Sequence, residues 1–240
     1  MPLLHLSLQR VLGRFVAKPL PPVGSFDNQT VLITGGTAGL GLAAAVHFAS
    51  LGANIILTYR DASRGESARR HVEEAAHISG QQKVTVMHLD MSRYASCTAF
   101  VNELKKSHAG RGGLDVIILN AGRINPRFEM SPEGWEETIQ VNALSTILLG
   151  LLLSEWMKLE RGNRETPAHL VFVSSRDHLY PDVSHWAEWS KQGGILHHLS
   201  SQQNWPPWWA TTEPNYDNSK LLLMYAIDEI LKRVLGPDNE

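Results

Sequence analysis

From residue 30 to residue 175 the chain alternates apolar, β-branched runs with helical patterns, and this alternation constrains its fold more than any other feature. The runs are TVLIT, NIILTY, KVTVMHLD, LDVIILNAG and HLVFVSS, and the helical patterns between them cover about 40–51, 62–77, 94–108 and 132–158. Strands joined through helices take right-handed crossovers, which predicts an α/β fold with a doubly wound parallel sheet and helices on both faces. The near-continuous apolar character of the runs fits strands covered on both sides. With 240 residues, 43% of them hydrophobic, the chain fits one domain more readily than two. That domain is expected over 27–240, after an N-terminal extension and linker at 1–26.

The extension, MPLLHLSLQRVLGRFVAKPLPPVGSF, contains no acid, and Leu4, Leu8, Val11, Leu12 and Phe15 share one helical face. Such a segment can lie on a membrane or serve as a transit sequence. The favoured reading is a short helix packed onto the body before the stiff KPLPPVG linker. No apolar run in the sequence approaches the ~20 residues of a membrane span, so the expected location is cytoplasmic. A net charge of -2 with scattered Lys and Arg argues against a nucleic-acid partner. The lone Cys97 has no partner for an internal disulfide, fits a reducing compartment and is expected to be buried filler.

Between the first run and the first helical pattern stands TGGTAGLG. A turn from strand to helix presents the helix's N–H groups and positive end at the sheet's carboxyl edge, where an anion is stabilised. Gly35 suits the tight turn, Gly39 a close approach of backbone to a pyrophosphate, and Gly41 the contact of helix on strand. The spacing differs from the G-x-G-x-x-G of other dinucleotide sites. Alone it is weak evidence; the following βα units strengthen it into a Rossmann-like expectation.

These motifs, with HLD ending the third run, NAG after the fourth, VNA in the long helix, VSS ending the fifth and YDNSK beyond, resemble the short-chain dehydrogenase/reductase family over about 26–235. The Trp-rich stretch resembles its fungal retinol-dehydrogenase-like members. The resemblance implies NAD(P) binding, with Gly35, Thr37, Gly39, Leu40 and Gly41 at the pyrophosphate, Asp90 and Met91 at the adenine, and Asn120, Ala121 and Gly122 along the ribose. It also implies catalysis by Asn142, Ser175, Tyr216 and Lys220, the last two contacting cofactor as well. Asn142 would hold Lys220 through a water, and Ser174 is a weaker candidate than Ser175 for the hydroxyl beside the tyrosine.

An acid ending the second strand would bind a ribose 2'-hydroxyl and repel a 2'-phosphate, whereas Arg favours the phosphate. The sequence there is ILTYRDASR: Tyr59 stands where the acid would, Arg60 follows, and Arg64 lies one turn on. NADP(H) is therefore favoured over NAD(H), with Asp61 expected to cap the next helix. The competing reading makes Arg60 an ordinary surface ion-pair residue. Tyr216 and Lys220, four apart on a helix, share one face. A free tyrosine titrates near ~10, so acid–base work near neutrality needs its proton to come off about 2–3 pH units lower, which nearby positive charge favours.

The insert at about 176–215 carries Trp186, Trp189, Trp205, Trp208 and Trp209. A loop of this length in a compact domain is usually a lid or binding loop, and its tryptophans either line the site of a bulky, apolar small-molecule substrate or pack the insert onto the body. His178, His185, His197 and His198 lack the acids or cysteines to complete a metal site. The chain ends at LKRVLGPDNE, where the resembled family continues with further strands, so the sheet is expected to lack the family's last strands. Three readings follow: a working reductase of secondary metabolism, a catalytically impaired partner subunit joined through an exposed sheet edge, or a redox-neutral isomerase or cyclase. The intact Asn142, Ser175, Tyr216 and Lys220 favour the first. A homodimer is expected on the resemblance alone.

Overall fold

A computed structural model of the chain describes residues 21–108, 110, 112–207 and 214–235. Its strands are β1 (Thr30–Ile33), β2 (Asn54–Tyr59), β3 (Val84–His88), β4 (Val116–Leu119) and β5 (His169–Phe172). All pairings are parallel, in the order β3-β2-β1-β4-β5. Helices α1 (Gly39–Ser50), α2 (Ala62–Ala75) and α3 (Tyr94–His108) connect the first four strands, and α4 (Thr146–Glu160) leads to β5.

Side chains alternate across the sheet with the period of two that strands impose. Val31, Ile33, Ile55, Leu57 and Val116 face α1 and α2, where Ala45, Ala49, Ala68 and Val72 pack on them. Leu32, Ile56 and Ile117 face the other way, onto Phe100, Leu104, Leu149, Leu153 and Trp156 of α3 and α4. The sheet is thus wound on both faces, as the alternation predicts. Cys97 sits at 0% exposure in the second layer, and burial pushes its thiol up to about 11. Strand β5 departs from the expectation of double cover. Among the described residues it pairs with β4 alone, its side chains alternate between exposed and half-buried, and Val171 is 43% exposed.

The helical pattern expected over 132–158 is corrected at its start. Residues 131–135 form a turn, closed by Ser131 N–H on the Trp135 carbonyl at 2.8 Å and requiring φ +83° at Gly134. Helix begins at Glu137–Ile139 and passes through a π-helical segment, Gln140–Ser145, before α4. The run Glu137–Asn163 is long and apolar enough by composition to cross a membrane, but 56% of its apolar window is buried against the sheet, as a core helix would be. The insert holds two short helices, α5 (Trp186–Lys191) and α6 (Ile195–Leu199), and α7 (Tyr216–Leu235) follows. On α7 the buried anchor is Leu223, at 0% exposure, whereas Tyr225 is 55% exposed. The apolar face of the N-terminal extension (Leu4, Leu8, Val11, Leu12, Phe15) and Trp208 and Trp209 lie outside the described residues.

One polar tie closes the base of the sheet. The Arg164 guanidinium, 7% exposed, pairs with Asp115 and donates to the carbonyls of Gly112 and Leu114, while Asp115 also accepts the β1 N–H of Thr30 at 2.7 Å. Removing one partner leaves the other group half-buried and uncompensated. Arg164→Ala is therefore expected to cost about 2–4 kcal/mol, read as a lower midpoint of urea unfolding with an unchanged slope.

Candidate functional site

In the order 3-2-1-4-5 the chain runs outward from β1 in one direction and then returns to its other side, so a crevice opens between the carboxyl ends of β1 and β4. Partly buried hydrogen bonds hold that crevice in shape. Thr34 Oγ1 accepts the N–H groups of Asn120 and Ala121, both at 3.0 Å, and Asn120 Nδ2 donates to the Thr34 carbonyl at 3.1 Å. Gly35 N–H donates to Thr58 Oγ1 at 3.2 Å.

The crevice is a cleft of about 590 Å³. Of the residues named from sequence, Gly35, Thr37, Gly39, Leu40, Arg60, Asp90, Met91, Asn120, Ala121 and Gly122 all line it. Gly41 does not; it lies beneath the wall, where a Cβ would stand 2.6 Å from both the Gly35 carbonyl oxygen and Asn120 Nδ2. Gly35 takes φ +65°, and a Cβ there would meet Ala121 Cα at 2.8 Å. Gly39, φ +54°, has nothing within 4 Å of its Cβ position. The turn is thus tight below and open toward the cleft.

Helix α1 starts at this opening. Its cap residue is Ala38, no side chain caps its first turn, and that turn carries no acid. By contrast α2 is capped by Asp61, whose carboxylate accepts Arg64 N–H at 3.1 Å, as the sequence suggested. An uncapped helix start facing a cleft offers donors and a positive end to an anion. The donor set and the open Gly39 fit a dinucleotide pyrophosphate.

Arginines stand at the rim of the cleft. Arg60 and Arg64 line it, and with Thr37 and Asp61 they border a second hollow at its rim. Arg60, with its side chain 67% exposed, is 3.8 Å from Glu137. Arg123, which no motif marks in the sequence, also lines the cleft and pairs with Glu137 and, at 3.1 Å, with Glu129. Burial holds the Glu137 carboxyl above the usual carboxylate range, and Arg123 and Arg60 oppose that rise. Ser92, Ile124 and Val141 are further lining residues the sequence did not reveal.

Beyond the cleft the structure brings Asn142, Tyr216 and Lys220 together. Asn142, fully buried in the π-helical segment, accepts Arg123 N–H and donates to the Arg123 carbonyl, both at 2.8 Å, and donates to Ser219 Oγ at 3.0 Å. Ser219 Oγ in turn donates to the Tyr216 carbonyl at 2.6 Å. Its direct partners are therefore Arg123 and Ser219, where the resemblance implied a role toward Lys220 through water. π-Helical bulges of this kind recur at functional sites.

Lys220 is 4% exposed, its Nζ 5.6 Å from the Tyr216 ring centre and donating to the Val173 carbonyl at 3.1 Å. Burial lowers its pKa. The ammonium lies 3.6 Å from where a Cβ on Gly122 would stand, so it reaches the cleft's edge. Strand β5 ends at Phe172, so Val173, Ser174 and Ser175 lie just past it and not within its end, and Ser175 is three residues beyond the strand. Its hydroxyl donates to Asp177 at 2.9 Å and accepts Asp177 N–H at 3.2 Å, capping the turn Arg176–Leu179. Ser174 Oγ is buried and without a partner.

The insert folds against this end of the site. Trp186, 8% exposed, meets Tyr225 of α7 edge-on, Trp189 stacks on His198 at 3.7 Å, and Trp205 meets Phe128 edge-on at 5.3 Å. Trp189, His198, Trp205, Asn215 and Asp217 border a hollow of about 260 Å³ beside the first turn of α7. Burial raises the Asp217 carboxyl pKa. Among the described residues no group of three or more His, Cys, Asp or Glu is placed to hold a metal.

Known proteins share the sequence pattern and the fold. Residues 29–190 match the short chain dehydrogenase family. The chain is 37% identical over 161 residues to the short-chain dehydrogenase/reductase ffsI of Aspergillus flavipes, covering 67% of this chain and 46% of that protein. It is 39% identical over 213 residues to phmF of Phaeosphaeria nodorum, covering 87% and 59%, and 34% identical over 235 residues to atnD of Emericella nidulans, covering 96% and 69%. The chain thus spans about half the length of the first two relatives. Among solved structures, a metagenomic short-chain oxidoreductase in complex with NADP superposes with a TM-score of 0.63 at 22% identity, over 88% of this chain and 78% of that one. A Sphingobium yanoikuyae short-chain dehydrogenase in complex with NADPH gives 0.59 at 19% identity, over 87% and 66%.

Proposed function

The chain belongs to the short-chain dehydrogenase family, and on that premise we propose that it is an NADP(H)-dependent oxidoreductase acting on the carbonyl or alcohol carbon of a bulky, apolar small molecule of fungal secondary metabolism. The observation that carries the proposal is the uncapped, acid-free start of α1 opening onto the cleft, with Arg60 and Arg64 at the cleft's rim. When bound, the dinucleotide supplies the hydride donor or acceptor at C4 of its nicotinamide ring. The α1 N–H groups and Gly39 hold the pyrophosphate, Arg60 and Arg64 the 2'-phosphate, Asp90 and Met91 the adenine, and Asn120 to Gly122 the ribose.

Tyr216 gives a proton to the substrate oxygen in reduction and takes it in oxidation. Lys220, held against Val173 and the Tyr216 ring, places a positive charge beside that proton transfer. Ser175 turns its hydroxyl from Asp177 to the substrate oxygen and stabilises the developing charge there. Asn142 fixes the backbone of Arg123 and, through Ser219, the first turn of α7. The Trp-walled hollow beside that turn favours a large, flat apolar group on the substrate. The partner-subunit reading draws support from the one-sided pairing of β5. A buried lysine beside a tyrosine at the cleft's edge favours the enzyme, because a binding module has no need of that pair.

The test is cofactor selectivity. Replacing both Arg60 and Arg64 by alanine removes charge-assisted contacts of about 1.5–3 kcal/mol each before solvent screening, and is expected to weaken NADPH at least about tenfold. NADH affinity should stay within about twofold, the scale of a neutral surface change. Equal loss for both dinucleotides, or for neither, would remove the arginines from the 2'-phosphate.

A further inference from the structure

The start of the α4 run and the start of α7 meet at a buried carboxylate that the mechanism above does not use. Glu136 is fully buried, 79 positions before Asn215 in sequence. Its carboxylate accepts the N–H groups of Thr138 at 3.0 Å and Ile139 at 3.1 Å, which is an ordinary helix cap. It also accepts Asn215 Nδ2 at 3.2 Å, and capping does not need that bond. Asn215 Nδ2 is shared with the Leu199 carbonyl at 2.8 Å, the last residue of α6 in the insert. The Glu136 N–H donates to Ser200 Oγ at 3.0 Å, so one residue grips the insert through both backbone and side chain.

Asn215 immediately precedes Tyr216 and holds φ +59°, a left-handed conformation that asparagine tolerates better than most residues. Its carbonyl accepts Ser219 N–H at 2.8 Å, the bond that starts α7. Where Asn215 sits therefore fixes where α7 begins and which way the Tyr216 side chain leaves the backbone. Asn142–Ser219–Tyr216 is a parallel buried link between the same two helices.

We propose that Glu136 is a positioning residue: through Asn215 it sets the placement of Tyr216, and through Leu199 and Ser200 it joins that placement to the seating of the Trp-rich insert. The proposal rests on the reading of Tyr216 as the proton-transferring group. It makes the insert part of the active site's construction, so that a substrate seated against the insert and the tyrosine that serves it are held by one carboxylate.

Glu136→Asp separates this role from capping. Aspartate is among the best cap residues, yet its shorter side chain falls short of Asn215. Asn215→Gly removes the same bond from the other side while keeping the left-handed backbone. The experiment is hydrogen exchange by mass spectrometry on the full chain, alongside NADPH affinity and turnover of a bulky aryl ketone. In both variants amides of 198–201 and 216–220 are expected to exchange about fivefold faster, the worth of one ordinary hydrogen bond. Amides of Thr138 and Ile139 should keep their protection in Glu136→Asp, and NADPH affinity should be unchanged. kcat should fall with little change in KM, and the double variant should be no worse than the more damaged single one. Unchanged exchange over 216–220 in both variants, or strictly additive losses, would overturn the proposal. Failure of the parent chain to bind NADPH or to turn over any ketone would instead count against the oxidoreductase reading, and the exchange data would still decide whether Glu136 governs the start of α7.

Discussion

Tyr216→Phe is expected to remove turnover and leave the cofactor in place. The substitution deletes one hydroxyl from a half-buried ring at the start of α7 and disturbs none of the bonds that hold the helix: Lys220 to Val173, Asn142 to Ser219, and Ser219 to the Tyr216 carbonyl. A positioned general acid contributes about 10²–10⁴-fold, so kcat should drop by that factor. NADPH affinity should stay within about twofold, because Tyr216 is not among the residues that line the cleft proposed to hold the dinucleotide. Steady-state rates with a bulky aryl ketone, paired with a fluorescence titration of NADPH, would check both halves. Full activity in the variant would take Tyr216 out of the chemistry.

Gly41→Val is expected to damage the cofactor site from below. A Cβ there would stand 2.6 Å from the Gly35 carbonyl oxygen, a backbone atom that cannot swing aside as a side chain can. Either α1 lifts from β1 or the turn shifts, and both displace the N–H groups that face the cleft. Overpacking of this kind costs about 1–3 kcal/mol of stability. Loss of two charge-assisted bonds to the pyrophosphate, at about 1.5–3 kcal/mol each, weakens both NADPH and NADH by about 100-fold or more. The loss differs from that of the arginine pair, which discriminates between the two dinucleotides. Binding titrations together with thermal unfolding would separate a shifted turn from global unfolding, and unchanged affinity would show that the helix does not need to press on the strand here.

Sequence revealed the parts of this molecule whose signal is local. Each apolar run became a strand, because side-chain period and β-branching act within a few residues, and Asp61 could be read as a cap from its place before Ala62. The glycine turn was legible for the same reason: its steric demands are written in adjacent positions. What escaped was long-range or depended on tertiary packing. Glu136 and Asn215 are ordinary polar residues until the fold brings them together across 79 positions, and Arg123, a lining residue of the cleft, has its backbone held by Asn142 from 19 positions away. The π-helical turn at Gln140–Ser145 leaves no mark in an apolar pattern that suits an α-helix equally well. The insert's helices, Trp186–Lys191 and Ile195–Leu199, are too short for a period to show. Leu223 is buried on the face of α7 that also carries the buried Ser219 and Lys220.

The proposed function requires the cleft between β1 and β4 to bind NADP(H). A fluorescence titration of the purified chain, shown to be folded by circular dichroism, with NADPH and then NADH tests it most directly. Saturable binding of NADPH is expected, with an affinity well above that for NADH and the gap closing when Arg60 and Arg64 are removed. A folded chain that binds neither dinucleotide would contradict it.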